Sequence, residues 1–306
     1  MNDQGKLKYL EHSQVDYSKW NRCIMTASNS RIYAASWFLD RSAKVWDALV
    51  WGDYEFVMPL PFRRKFGIKY LYQPVFSQQL GIFPQPSGKI EIQFYKELLK
   101  RFRYCDIHLN SHNYLPGIPD VKDLPPRLNY LLPLKGDYEY ISGNYSKNTK
   151  RNIARSGSYR LSYVSNINLH EYIEFNKKNL GNILSDKDIN KLKSIIAYTQ
   201  TYGMGEIPGV YNAENRLCAT VFFCHYSNRV TYLNAGSDRN GKVLRSMFFL
   251  VDNYIRTNTG KNLVLDFEGS MLPGVARFFK GFGASPEYYY PLKFNKLPFP
   301  IRWLKR

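Results

Sequence analysis

Residues 216–257 read RLCATVFFCHYSNRVTYLNAGSDRNGKVLRSMFFLVDNYIRT. Two runs rich in β-branched and aromatic residues, Leu217–Cys224 and Arg229–Ala235, flank the turn Tyr226-Ser227-Asn228 and predict a hairpin. A polar, glycine-bearing turn, Ser237–Lys242, leads into apolar residues at helical spacing, which predict an amphipathic helix over Val243–Thr257. A buried strand is expected at Leu263–Phe267, then a short helix ending in Phe279-Lys280-Gly281-Phe282-Gly283. A strand that feeds a glycine turn at a helix start has general chemistry. The first helical N–H groups lack partners and carry partial positive charge, so they attract anions.

Working outward, the second half opens with a basic stretch, Tyr138–Ser156, whose helix is expected to start near Ser142. A strand at Leu161–Val164, helices at Leu169–Asn179 and Asp186–Thr201, and a strand at Val210–Asn212 follow. Tyr288–Leu292 reads as the last strand. The first half has a helix within 14–28, a hairpin of Val45–Trp51 with Tyr54–Pro61, and a strand at Lys69–Phe76. Ile90, Phe94, Leu98 and Phe102 fall on one face of a helix over Lys89–Phe102, before strands at Cys105–Leu109 and Leu128–Leu134. The halves share an order: helix, hairpin, further strand, polar loop, amphipathic helix, strand. At 306 residues and about 150 residues per domain, this predicts two α/β (α+β) units, 1–135 and 136–306. Each is a mixed, mostly antiparallel sheet flanked by helices, and the working cleft belongs to the second.

The net charge is +18, from 43 basic and 25 acidic residues. That points to an anionic partner such as RNA, a phosphate-bearing coenzyme, an acidic carrier protein or an anionic membrane surface; the other reading is charge that only keeps the chain in solution. Cys23, Cys105, Cys218 and Cys224 form no C-x-x-C pair and read as free, buried thiols. The scattered histidines give no metal-site spacing, so no metal and no permanently bound cofactor is expected. Met1–Lys6 has no apolar core, and no run of about 18 apolar residues spans a membrane. The expected compartment is the cytoplasm. The basic, aromatic tail from Pro298, with Trp303, suggests a peripheral membrane contact.

The order of elements resembles the GNAT acyltransferase fold. In that family the pyrophosphate of acetyl-CoA sits on a turn of form Q/R-x-x-G-x-G/A. Here Asp238-Arg239-Asn240-Gly241-Lys242-Val243 matches only at Gly241, and Gln78-Gln79-Leu80-Gly81-Ile82-Phe83 matches at the glutamine and first glycine. Asp266-Phe267-Glu268-Gly269-Ser270 and Gly274-Val275-Ala276-Arg277-Phe278-Phe279-Lys280-Gly281-Phe282-Gly283 resemble the FemABX family and the broader FemAB-like (BioF2-like) group. So does the basic helix Ser146–Ile153. FemABX proteins transfer an amino acid from aminoacyl-tRNA to an amine of a peptidoglycan precursor. The long helical hairpin of some tRNA-using members has no counterpart in Leu169–Thr201.

The resemblance implies an N-acyltransferase with acyl-CoA, acyl carrier protein or aminoacyl-tRNA as donor and an amine acceptor. It implies that Phe279 and Lys280 lie near the reacting ester and that Arg151, with Lys147 beside it, meets the acceptor's phosphates; the same basic run also reads as a solvated helix face. Amine attack on an ester passes through an oxyanion, and a fixed donor beside it lowers the barrier, commonly by ~3–4 kcal/mol. Lys280 is a candidate for that cation or for a tRNA phosphate contact; it also suits the C-terminal turn of a helix. Glu268 shares one side of its strand with Asp266 and is a candidate general base; both also read as helix caps beside Ser270 and Pro273. Asn234, Arg239, Gly241 and Lys242 are candidate donor contacts, with Tyr232 a weaker one. Tyr288–Tyr290 reads as sheet. The competing class is a non-catalytic protein that binds RNA or a cell-wall precursor through the basic helix.

Overall fold

The computed structural model describes residues 5–114, 117, 119–180, 184–269, 271–299 and 302. It divides into two compact units, Met1–Arg127 with Tyr288–Arg306, and Leu128–Glu287.

The first unit runs β1 (Leu7–Leu10), α1 (Tyr17–Thr26), α2 (Ser36–Ser42), β2 (Trp46–Trp51), β3 (Phe56–Lys65), β4 (Ile68–Tyr72), α3 (Gly88–Arg101) and β5 (Tyr104–His108). β2 is wholly buried, as a strand covered on both faces must be. α3 buries Phe94, Tyr95 and Leu98 and carries Glu91 in its first turn and Lys100 and Arg101 in its last, each sign where the helix dipole favours it. β4 and β5, on either side of α3, pair in parallel.

The second unit runs β6 (Arg127–Pro133), α4 (Tyr138–Gly143), α5 (Lys147–Ser156), β7 (Ser162–Val164), α6 (Leu169–Leu180) and α7 (Asp186–Thr201). Then come β8 (Gly205–Glu206), β9 (Gly209–Tyr211), β10 (Leu217–Tyr226), β11 (Arg229–Ser237), α8 (Arg239–Leu244), α9 (Ser246–Asn258), β12 (Val264–Asp266), α10 (Pro273–Gly281) and β13 (Ser285–Tyr289). β14 (Pro291–Asn295) closes the chain's regular structure. The eight-stranded sheet has the order β13-β6-β12-β11-β10-β9-β7, with β8 on β10. β11 and β12, on either side of α8 and α9, pair in parallel. Its core gathers Val221, Phe223, Leu250, Tyr254, Leu265 and Phe282.

Three expectations change. The boundary at 135 moves to 128, because β6 pairs with β12 in the second sheet. The single last strand becomes two: β13 joins β6, whereas β14 pairs with β5 and completes the first sheet as β1-β2-β3-β4-β5-β14. The helix over Val243–Thr257 is broken, because Arg245 takes φ +61° and separates α8 from α9. All four cysteines are free and buried, as their sequence context suggested. Among the described residues no helix is long and apolar enough to cross a membrane. Pro116, Ser270 and Trp303 lie outside the described residues.

Candidate active site

A cleft of about 710 Å³ opens in the second unit where β11 and β12 part. The parallel ladder between them ends at Thr231↔Asp266. β11 continues to Ser237, and its register with β10 slips between Phe222 and Phe223, which face Asn234 and Tyr232. Such a bulge bends the strand and turns it from its neighbour. β12 stops at Asp266, and the chain leaves through Glu268 at φ +55° and Gly269 at φ +45°. Any side chain on Gly269 would meet the backbone of Leu128 and Asn129, so only glycine lets the chain pass β6 there. The cleft is the gap these two departures leave.

Its apolar wall is aromatic. Phe279 stacks on Phe267 at 4.7 Å and meets Tyr232 edge-on at 5.5 Å, while Phe248 and Phe278 form a T at 4.8 Å. The Tyr232 hydroxyl donates to the sulfur of Met247 at 3.4 Å, and burial pushes its pKa above the ordinary phenol range. The polar groups are few. Asn234 lines the cleft and is held from behind by Tyr172 of α6, whose hydroxyl donates to Oδ1 at 2.5 Å. That bond leaves the Asn234 NH2 as the group available to a ligand. Glu268 lines the opposite side, its N–H bonded to Asp266 Oδ1 at 2.9 Å. Lys242 and Arg245 supply the cations of the rim.

The sequence candidates divide. Phe279, Glu268, Asn234, Gly241 and Lys242 line the cleft. Lys280 does not; it is exposed in the last turn of α10, beside the buried Phe279. Arg239 is exposed and outside the lining too. Lys147 and Arg151 lie exposed on α5, with Arg151 donating to Asn148 Oδ1 at 2.9 Å. Glu268 does not share a strand face with Asp266, because β12 has ended before it. Asp266 is instead fully buried and receives a bond from the Arg229 guanidinium at 2.5 Å.

The glycine turn is already occupied. The Asp238 carboxylate caps α8 and accepts from the Gly241 N–H at 2.6 Å. One N–H at the start of α8 is thus satisfied within the turn, by a carboxylate. Gly241 is required by packing: a Cβ there would lie 2.2 Å from the Cys218 carbonyl oxygen. The turn at Gln78–Phe83 is likewise internal, with Gln79, Leu80, Ile82 and Phe83 buried. Gly281 works in the same way, since a Cβ would lie 2.4 Å from Thr149 Oγ1, and its carbonyl accepts from the Ser146 N–H at 2.9 Å. The Phe-Lys-Gly-Phe-Gly run thus puts one phenyl ring in the cleft and seats α10 against the start of α5. Tyr172 and Arg245 were not singled out from the sequence. Nothing in it marks Arg245 as a left-handed residue.

No protein-family model matches the chain, and no curated protein does. Solved structures do. FemX superposes with a TM-score of 0.65 at 10% identity, over 97% of this chain and 99% of that one. A conserved protein of unknown function from Bacteroides thetaiotaomicron gives 0.61 at 8% identity, over 95% and 100%. The C-terminal domain of a protein assigned as lysylphosphatidylglycerol synthetase from Agrobacterium fabrum gives 0.59 at 8%, over 94% of both chains. Two mixed sheets, each with a parallel pair around its long helix, define the tandem GNAT fold that the FemX superposition shows. Within that class the arrangement is FemABX-like, with FemX matched along nearly its whole length.

Proposed function

We propose that this chain is an N-acyltransferase that moves an aminoacyl group from aminoacyl-tRNA to an amine, with a cell-wall precursor as the acceptor class. The observation that carries the reading is the cleft at the β11–β12 opening, where Phe279, Asn234 and Glu268 converge. The donor assignment draws support from Asp238, whose carboxylate fills the turn a coenzyme-A pyrophosphate would use, and from the +18 net charge.

In this reading the amine nitrogen attacks the ester carbonyl carbon. The oxyanion that forms accepts hydrogen bonds from the Asn234 NH2, an orientation fixed by Tyr172. Collapse breaks the bond to the ribose oxygen. Glu268 takes the proton from the attacking nitrogen and returns it to that oxygen. The aromatic wall excludes water that would otherwise hydrolyse the ester. Lys280, exposed beside Phe279, serves outside the reacting centre as a contact for donor phosphate. The exposed cations of α5, Lys147 and Arg151, serve the phosphates of the acceptor.

Thermal-shift titration with charged tRNA and, in parallel, with acetyl-CoA tests the donor. A ligand at a hundred times its Kd stabilises by about 2.7 kcal/mol, so charged tRNA should raise the melting temperature and acetyl-CoA should not. Lys280→Ala should then lose at least about tenfold in kcat/KM for aminoacyl transfer with its melting temperature unchanged. A pure binding protein would show no turnover at all, would ignore Lys280→Ala, and would lose its ligand when the α5 cations are neutralised.

A further inference from the structure

The β3–β4 hairpin of the first unit ends in a tip that does nothing for its own fold. Lys65 pairs with Ile68, so Phe66 and Gly67 form a two-residue loop. Both have positive φ, +50° and +73°. That geometry suits Asn-Gly or Asp-Gly; a bulky aromatic residue is a poor choice for the left-handed region. The Phe66 ring is 74% exposed, so it adds nothing to the core. Directly before it, Arg63, Arg64 and Lys65 are all exposed.

The sheet register gathers more charge at the same end. Leu71 aligns with Cys105 and Phe62 with Leu71, so β5 begins beside the hairpin, with the exposed Arg103 just ahead of it. β2 begins there too, opposite Pro61, preceded by the exposed Lys44 and by Val45 at 41% exposure. Three acids of this end are ion-paired: Asp47 by Lys69, Asp106 by Lys293 at 2.8 Å and Asp120 by Lys296 at 3.1 Å. The Arg63 guanidinium lies over the Tyr72 ring, 4.1 Å from its centroid, and the Lys65 ammonium is 5.5 Å from that of Phe66. The result is an apolar apex standing beyond a collar of exposed cations.

We propose that this hairpin tip is a membrane-interface anchor, which inserts Phe66 among the headgroups of an anionic bilayer while Arg63, Arg64 and Lys65 meet lipid phosphates. A bilayer fits better than a nucleic acid. One ring at a protruding apex offers no groove to track a backbone and no second aromatic platform for successive bases, whereas a ring ahead of a basic collar matches an apolar layer behind a negative surface. One ring and a few charges give reversible, peripheral attachment.

The test is cosedimentation of the full chain with vesicles of phosphatidylcholine alone, or of phosphatidylcholine with a minority of phosphatidylglycerol. Binding is expected only to the anionic vesicles and should weaken as salt rises. Each cation near an anionic surface is worth about fivefold in affinity, so replacing Arg63, Arg64 and Lys65 together by glutamine should weaken binding about a hundredfold. Phe66→Ser should weaken it about tenfold, and Phe66→Trp should bind with a blue shift of the added indole emission. All these positions are exposed, and unchanged circular dichroism will show the variants are folded. The proposal is overturned if the wild-type chain ignores anionic vesicles at low salt, or if both variants bind them undiminished. It is equally overturned if Phe66→Ser keeps its vesicle affinity but loses affinity for tRNA, which would make the tip a nucleic-acid contact.

Discussion

Replacing Asp266 with alanine is expected to destabilise the second unit by about 3–5 kcal/mol, the usual cost of breaking a buried ion pair from one side. Asp266 is fully buried at the end of β12, and its partner Arg229, at the start of β11, is itself largely covered. The carboxylate makes two contacts. Oδ2 receives the Arg229 guanidinium at 2.5 Å, which ties β11 to β12 across their short parallel ladder. Oδ1 receives the Glu268 N–H at 2.9 Å, which fixes the turn that opens the cleft. Alanine takes the carboxylate away from that largely covered guanidinium and frees that turn. Amide hydrogen exchange is the suitable measure in a chain with two units, because it reads each unit separately. Exchange of the β11 and β12 amides should accelerate by roughly two to four orders of magnitude at the cost just given, with a tenfold change for every 1.4 kcal/mol. The double variant Asp266→Leu with Arg229→Met should recover most of the loss, since a buried pair replaced as a whole is close to neutral. If Asp266→Ala and the double variant exchange alike, the pair is not what joins the strands.

That ion pair also marks what a sequence conveys and what it withholds. The β10–β11 hairpin, the amphipathic α3 and the order of elements were legible because they rest on local periodicity and turn chemistry. Arg229 and Asp266 stand 37 positions apart and meet only through the sheet's topology. The two-unit division was legible, but its boundary was not. β6 and β14 read as strands whichever sheet receives them, and only long-range pairing decides it. β1 and α2 escaped because four and seven residues are too few for a periodic signal.

Of the site candidates, Phe279, Glu268 and Asn234 line the cleft and Lys280 does not. Spacing along α10 cannot tell which of two adjacent residues faces the cleft. Asp238 was the more instructive position. Scored against a Q/R-x-x-G-x-G/A pattern it counts as a mismatch. As an Asp three residues ahead of Gly241 it is a helix N-cap, and its bond to the Gly241 N–H is the one that pattern predicts. The left-handed turns at Arg245 and Glu268 had no such marker, since neither residue is Gly or Asn.

Gly269→Ala should act on that second turn and carry the other large effect. At φ +45° a side chain is already strained, at ~1–2 kcal/mol for a residue forced into the left-handed region. The new Cβ would also lie 2.2 Å from the Leu128 carbonyl oxygen and 2.4 Å from the Asn129 Cα. These are backbone atoms of β6, the strand that pairs with β12, so relief requires moving the sheet rather than rotating a side chain. A total loss of ~3 kcal/mol or more is expected once strain and collision act together. Gly274→Ala provides the contrast. It lies one residue into α10, also lines the cleft, and has nothing within 4 Å of the added carbon. Alanine there should be neutral or stabilise by up to ~1 kcal/mol through helix propensity. Opposite signs at two cleft glycines five residues apart would show that Gly269 is needed for chain passage and not for access of a ligand. Equal losses at both would mean that the cleft wall, and not the approach to β6, limits what these positions accept.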